Sequence, residues 1–167
     1  MKIPEGASVE VEKGGAVKLT VNGKSFERHY RPRMVNVRVE GGQVIVEPHG
    51  KPSREKNAMA GALSSHLKNL FSGERFQKKL KIVYAHFPIS VEVKGSEVFI
   101  KNFLGEKTPR KTKVFGDGVK VEVKGPEIIV SGNDPEQVGQ TASNIVRVTK
   151  VRALDNRVFQ DGIYYEE

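Results

Sequence analysis

The sequence of 167 residues contains no cysteine, which excludes disulfide bonds and metal sites built on thiolates. This absence is compatible with a reducing compartment. No apolar run approaches the roughly 18 residues that a membrane span requires. The N-terminal residues Met1 to Pro4 lack the apolar core of a signal peptide. We therefore expect a protein with no membrane span and no disulfide.

Groups suited to catalysis are scarce as well. The four histidines are not spaced as zinc ligands are, and the carboxylates mostly alternate with lysines instead of forming an acid and base pair. Ser64-Ser65-His66 lacks the glycines of a nucleophile elbow. The sequence predicts no enzyme, no catalytic residue, no metal, no cofactor and no small-molecule substrate. The histidines are His29, His49, His66 and His86.

Positive charge is what the sequence has in excess. Lysine and arginine number 28 against 20 aspartate and glutamate, a formal net charge of +8. A surplus of this size favours a polyanionic partner, usually nucleic acid, over a merely solvated basic surface.

The segment 119–149 predicts a strand, a hairpin and a helix. Val119, Val121 and Val123 alternate with charged residues, so the valines share one face of a strand. Asp134 is suited to cap a following helix, whose apolar positions fall on one face that can cover the valines. These helical positions are Val138, Ala142, Ile145 and Thr149.

The same unit occurs earlier in the chain. An offset of 84 residues carries Val35 onto Val119, Gly41 onto Gly125 and the strand before the first helix onto the strand before the second. Ser53 is suited to cap that first helix. A repeat of this length indicates a duplicated domain, because solenoid periods are shorter. We therefore predict two domains, residues 1–80 and 81–167, with residues 74–79 as the linker. The apolar face of the first helix carries Met59, Ala62, Leu63, His66, Leu67 and Leu70.

Three basic segments are candidates for contact with phosphates. Lys24 to Arg33 interleaves basic residues with aromatics, and an outer strand with Phe26 facing inward is the slightly favoured alternative to RNA contact. Lys101 to Lys113 lacks apolar alternation and predicts an exposed, flexible basic loop. A third group follows the second helix, where Arg147 and Lys150 are one helical turn apart.

Known RNA-binding modules fit poorly. The central strands carry valine and isoleucine where an RNA-recognition motif needs aromatics, and no GXXG loop between helices indicates a KH domain. Binding through basic loops that contact the RNA backbone is therefore the favoured mode.

Three segments resemble the archaeal and eukaryotic type of the L6 family of large-subunit ribosomal proteins: Val83 to Ile89, Asn102 to Lys107 and Arg157 to Tyr164. They are spaced through the second half as in that family, and the duplicated plan extends the resemblance over nearly the whole chain. It implies an α+β fold of two tandem homologous domains, each a small antiparallel sheet with one helix packed on one face.

The resemblance also implies a function. It implies a structural constituent of the large ribosomal subunit that binds large-subunit rRNA near the sarcin–ricin loop, the stalk base and the translation-factor site. The expected partners are this rRNA, neighbouring ribosomal proteins of the stalk base and translation factors nearby. In the family the second domain makes most of the rRNA contact, through its basic loop and C-terminal segment. The role is therefore carried onto Lys101, Lys107, Arg110, Lys111, Lys113, Arg147, Lys150, Arg152 and Arg157.

The net charge of each predicted domain opposes the assignment of the rRNA contacts to the second domain. Residues 1–80 carry a net charge of +7 and residues 81–167 a net charge of +1, so net charge alone favours the first domain. Local clustering favours the second, because salt screens charges separated by more than about 8–10 Å. The alternative functions are a free-standing protein-interaction or RNA-binding module and an RNA-processing enzyme.

Overall fold

The computed structural model describes residues 1–166 except 5, 13, 22, 74 and 117. The chain forms two compact units, Met1–Glu74 and Arg75–Glu167, and each has a hydrophobic core of its own. Neither helix of the described chain has the length and apolar character that a membrane crossing requires.

The first unit consists of a three-stranded antiparallel sheet, a hairpin and a helix. The sheet has the order β1-β2-β3, and β4 pairs with β5. Its elements are β1 (Ala7–Glu12), β2 (Ala16–Val21), β3 (Lys24–His29), β4 (Val35–Glu40), β5 (Gln43–Pro48) and α1 (Arg54–Phe71).

Helix α1 forms where the sequence predicts it, but Ala60 lies on its buried face and the predicted Ala62 is exposed. Ser53 is the N-cap, and its hydroxyl accepts a hydrogen bond of 3.3 Å from the amide of Lys56. The buried positions lie three or four residues apart, so one face of α1 joins the core that β2, β4 and β5 supply. These positions are Ala60, Leu63, Leu67 and Leu70.

The second unit repeats this plan and adds two strands. A four-stranded antiparallel sheet has the order β10-β11-β6-β12, and a three-stranded sheet has the order β7-β8-β9. Its elements are β6 (Phe76–Val83), β7 (Ser90–Lys94), β8 (Glu97–Lys101), a 3₁₀ turn (Phe103–Gly105), β9 (Arg110–Lys113), β10 (Lys120–Lys124), β11 (Glu127–Gly132), α2 (Pro135–Val148) and β12 (Gly162–Tyr165).

Helix α2 covers the second unit's core. The Asp134 carboxylate caps it, accepting a hydrogen bond of 3.0 Å from the amide of Glu136. Val138, Ala142 and Ile145 are fully buried against apolar side chains of β6, β8 and β11. The prediction of an α+β fold of two tandem domains is confirmed.

The two units meet at a different position from the predicted one. Residues 76–80, part of the expected linker and of the first predicted domain, belong to β6 and pair with β11 in the second unit. Leu80 is fully buried there, and the Arg75 guanidinium donates a hydrogen bond of 2.9 Å to the Ser131 hydroxyl. The boundary therefore lies at 74/75 instead of 80/81.

The basic segment Lys101 to Lys113 is also more ordered than predicted. Its last four residues form β9, which pairs antiparallel with β8 and places Lys111 opposite Phe99. Phe103 in the preceding turn is buried, with 1% of its surface exposed. The prediction of a flexible loop over the whole segment is therefore wrong, because β8 offers a free edge and Phe103 anchors the turn.

The basic segment of the first unit, Lys24 to Arg33, contains the outer strand that the sequence analysis slightly favoured over RNA contact. Residues 24–29 form β3 at the edge of the sheet, and Phe26 packs on the core. Tyr30 is also partly buried against that core, and this burial raises the pKa of its phenol.

Thr149, the C-cap of α2, connects the helix to β12. Its buried hydroxyl donates to the Val146 carbonyl and accepts a hydrogen bond of 3.1 Å from the Ile163 amide. Strand β12 pairs with β6 and places Ile163 opposite Ile82. Residues 162–165 thus form an edge strand of the four-stranded sheet, and the Tyr165 hydroxyl lies 2.9 Å from the Ser143 hydroxyl.

Candidate nucleic-acid interface

Five of the nine predicted RNA-binding residues line one depression of the second unit. Its volume is about 610 Å³. We call it the basic depression. Its basic residues are Arg110, Lys111, Arg147, Lys150 and Arg152, and its other lining residues are Phe103, Leu104, Glu106, Val148, Val151 and Leu154.

Two parts of the chain that are distant in sequence form this depression. Strand β9 supplies Arg110 and Lys111, whereas the last turn of α2 and the segment after it supply Arg147, Lys150 and Arg152. The predicted basic loop and post-helix cluster therefore form one surface. Lys150 lies beyond the helix, which ends at Val148, so the loop after α2 and not a shared helical face brings it near Arg147.

Four of the five cations are available to an anion. Lys111, Arg147, Lys150 and Arg152 are exposed, and none of them forms an ion pair with a residue that the structure describes. Each therefore adds a full positive charge to the depression. A group of cations that lines one depression is suited to bind an anion such as phosphate.

Arg110 is different, because all of its guanidinium nitrogens donate to groups of the protein. Nε and Nη2 donate to the two carboxylate oxygens of Glu106 at 2.8 and 2.6 Å, and Nη1 donates to the Val148 carbonyl at 2.7 Å. The guanidinium carbon lies 4.2 Å from the centroid of the Phe103 ring. Arg110 thus joins the turn at 102–106 to the end of α2.

The Glu106 carboxylate is held in its charged form. The hydrogen bonds from Arg110 lower the pKa of this carboxyl, and its burial opposes the shift. Glu106 is consequently ionised at neutral pH and offsets the charge of Arg110. The pair therefore helps to shape the depression but adds no net charge to it.

The backbone around the basic depression adopts unusual conformations. Within the described residues, three non-glycine positions have a positive φ: Asn102 at 59°, Leu104 at 49° and Ala153 at 62°. Leu104 lines the depression, and Ala153 lies between two residues that line it. Such conformations persist where neighbouring contacts hold them, and they cluster at binding sites. Here the Asn102 side chain donates a hydrogen bond of 3.1 Å to the Pro88 carbonyl.

The other four predicted residues lie outside the basic depression. Lys101 pairs with Glu92 at 2.5 Å, and this hydrogen bond lowers the pKa of the Glu92 carboxyl. Arg157 pairs with Asp155 at 3.2 Å and remains 91% exposed. Lys107 and Lys113 are exposed on the second unit.

Sequence reasoning missed the residues that shape the depression. Glu106 had no signal, because a spacing of four residues to Arg110 indicates an ion pair only on a helix, and residues 106–110 are not helical. Leu154, whose exposed fraction is 47%, had none, since a single exposed leucine is common on protein surfaces.

With the boundary at 74/75, the two units no longer differ in net charge. Arg75, Lys78 and Lys79 belong to the second unit, so each unit carries a net charge of +4. Basic and acidic residues number 12 and 8 in the first unit and 16 and 12 in the second. Net charge no longer favours either unit.

Among the described residues, no group of three histidine or acidic side chains is placed to hold a metal ion. His66 is half-buried on α1, beside the apolar face of that helix.

Comparison with known proteins gives the family. The family model for ribosomal protein L6 matches residues 87–162. A large ribosomal subunit protein uL6 of Methanosarcina mazei is 45% identical over 166 residues, which cover 98% of this chain and 93% of the relative. The chain belongs to the ribosomal protein L6 family. Members named uL6 from Methanococcus vannielii and Staphylothermus marinus are 46% and 47% identical and cover 100% and 97% of this chain.

Membership of the L6 family confirms the resemblance seen in the sequence. L6 proteins are structural and non-enzymatic, which also confirms the prediction that the chain is not an enzyme. The family match includes the turn at 102–106, strand β9 and the end of α2, so it covers every residue that lines the basic depression.

Proposed function

We propose that this L6-family chain is a structural constituent of the large ribosomal subunit that binds large-subunit rRNA with the basic depression of its second unit. The observation that carries the proposal is the convergence on one depression of four exposed cations that have no ion-pair partner in the described part of the chain. They are Lys111, Arg147, Lys150 and Arg152. Such a component belongs to a ribonucleoprotein and serves translation without catalysing a reaction.

Phosphate is the chemistry that this depression fits. Lysine and arginine neutralise RNA phosphates and release condensed counterions, which supplies affinity without reading the bases. The lining includes Leu104 and Leu154 but no exposed aromatic ring, so it offers no stacking platform for bases. We therefore expect the depression to bind a folded RNA backbone by its shape and charge.

The proposal extends to the location in the subunit. The relatives carry the name large ribosomal subunit protein uL6, and family resemblance supports a position near the sarcin–ricin loop, the stalk base and the translation-factor site. Ribosomal proteins of the stalk base would be its neighbours, and translation factors would pass nearby. A ribosomal location in the cytoplasm follows from the same proposal.

The nine predicted residues divide into groups with different expected roles. The four unpaired cations of the depression are the main phosphate ligands. Lys107 and Lys113 extend the basic surface of the second unit. Lys101 and Arg157 can add to it, because each retains N–H donors beyond those that pair with Glu92 and Asp155. Arg110 already donates three of its five N–H groups to the protein.

The test measures rRNA binding as a function of salt. We expect Lys111→Gln and Arg152→Gln each to weaken binding of large-subunit rRNA and to reduce the slope of log K against log salt by about one, because each removes one phosphate contact. Lys120→Gln makes the same charge change on β10, outside the depression, and is the matched control. It should leave the slope unchanged.

Sedimentation tests the wider role. We expect the wild-type protein to co-sediment with the large subunit on a sucrose gradient. If the native protein migrates free of ribosomal particles, or if the depression variants bind like the control, the proposal fails. A free-standing protein-interaction module would give both of these results.

A further inference from the structure

We propose that Arg110 is a positioning residue of the RNA site, which fixes the spacing of the phosphate-binding cations and does not itself bind phosphate. The inference rests on the proposed function, since it assigns a role within the same basic depression. It separates Arg110 from Lys111, its neighbour in the sequence, although both line the depression and both carry a positive charge.

The contacts of Arg110 leave few of its hydrogen-bond donors and little of its surface available to a ligand. The fork to Glu106 and the bond to the Val148 carbonyl engage Nε, Nη1 and Nη2, and the Phe103 ring lies under the guanidinium plane. Only 30% of the Arg110 side chain is exposed. A phosphate that bound this guanidinium directly would have to compete with a bidentate carboxylate, which is among the strongest partners of arginine.

These contacts connect the two sides of the depression. On one side, Arg110 begins β9 and Lys111 follows it. On the other side, the Val148 carbonyl lies between Arg147 and Lys150 in the chain. One side chain therefore sets the separation between the cation of β9 and the cations that follow the helix. Loss of its hydrogen bonds would let these cations move apart without removing any of them.

A purely electrostatic effect and a positioning role for Arg110 make opposite predictions for the variant Glu106→Gln. Glu106→Gln removes a negative charge from the rim of the depression, so electrostatics alone predicts tighter binding of a polyanion. The same change weakens the fork that holds Arg110, so the positioning role predicts weaker binding. The sign of the change in affinity therefore separates the two roles.

The experiment measures the affinity of the full chain for large-subunit rRNA. We expect Glu106→Gln to weaken binding about threefold to tenfold, which corresponds to part of one charge-assisted hydrogen bond. The salt slope should stay within about half a unit of the wild-type value, because the four phosphate ligands remain. Glu122→Gln on β10, another exposed glutamate paired with a basic side chain, is the control and should not weaken binding.

A second variant keeps the charge at position 110. Lysine cannot make the bidentate fork and the third bond together, so we expect Arg110→Lys to weaken binding to a similar extent. If Arg110 acted only as a charge, Arg110→Lys would bind like the wild type. Thermal melts should show that both variants are folded at the temperature of the assay.

Amide hydrogen exchange gives a local readout. In the wild type the Glu106 amide donates to the Phe103 carbonyl at 3.0 Å, within the turn that Arg110 holds. We expect this amide to exchange faster in Glu106→Gln, whereas amides of β11 keep the wild-type rate. Faster exchange throughout the unit would indicate a general loss of stability and would contradict a positioning role.

The outcomes separate this inference from the proposed function. If Lys111→Gln and Arg152→Gln lower the salt slope while Glu106→Gln tightens binding, the depression binds RNA but Arg110 does not position it. If Lys111→Gln and Arg152→Gln bind like the wild type, the proposed function fails first and the inference fails with it.

Discussion

Phe103 illustrates how a single residue in this protein serves both the core and the surface. Its side chain is 1% exposed and belongs to the core of the second unit, yet one face of its ring lies beneath the Arg110 guanidinium. The apolar interior thus extends to the edge of a charged depression. The position of the cations consequently depends on packing as well as on charge.

The first prediction concerns Phe103. We expect Phe103→Ala to lower the free energy of unfolding of the second unit by about 3–5 kcal/mol, because it opens a cavity in a packed core. Urea unfolding followed by circular dichroism measures this change. Leu154→Ala, at a site that is 47% exposed, is the control and should change stability by less than about 0.5 kcal/mol. A loss of stability no larger than that of the control would contradict the packing described here.

At the residue scale, the sequence identifies the basic residues but not which of them are bound to other protein groups and which are available to a ligand. Counting basic residues identifies Arg110 and Lys111 as equals, since they are adjacent and alike in charge. The difference arises from the Val148 carbonyl, which is 38 residues away in the chain and meets Arg110 only in the folded unit. No local pattern in the sequence encodes that contact.

At the scale of elements, the end of α2 and β12 form one hydrogen-bonded joint. The Thr149 hydroxyl is buried between them and accepts a hydrogen bond from the buried Ile163 amide. This joint fixes the start of the segment that carries Lys150 and Arg152. Its stability should therefore matter to the fold of the second unit.

The second prediction concerns this joint. We expect Thr149→Val to destabilise the second unit by about 1–3 kcal/mol, because the shape of the side chain is kept while a buried amide loses its acceptor. Chemical denaturation measures the effect. Thr108→Val, at an exposed position, is the matched control and should have little effect. Equal stability of the two variants would show that another acceptor replaces the Thr149 hydroxyl.

Elements with strong local signals are the ones that the sequence predicts. Alternating valines identify β4 and β10, and the caps Ser53 and Asp134 mark the starts of both helices. Strand β9 has the sequence RKTK, which carries no apolar alternation. It becomes a strand because β8 pairs with it, so its conformation is decided by a neighbour and not by its own residues.

At the scale of the whole molecule, the chain is two units with separate cores. The first core combines α1 with β2, β4 and β5, and the second combines α2 with β6, β8 and β11. Duplication of one plan explains this separation, since each copy buries its own helix. The extra strands β6 and β12 distinguish the second copy from the first.

The third prediction concerns the boundary between the units. We expect a fragment of residues 75–167 to unfold cooperatively on its own, because it contains a complete core and all the strands of its sheets. A fragment of residues 81–167 is the control. It lacks the buried Leu80 and five of the eight residues of β6, so it should show no cooperative transition. Heat denaturation followed by circular dichroism measures both, and equal behaviour of the two fragments would contradict the boundary at 74/75.

The pairing of β12 with β6 has a consequence for the order of events during synthesis. Gly162 lies opposite Val83, so the sheet stays incomplete until the chain has grown 79 residues past its central strand. The first unit faces no such delay, because all its strands and its helix precede residue 75. Since proteins with long-range pairings fold slowly, the N-terminal half should acquire its structure on the translating ribosome well before the C-terminal half does.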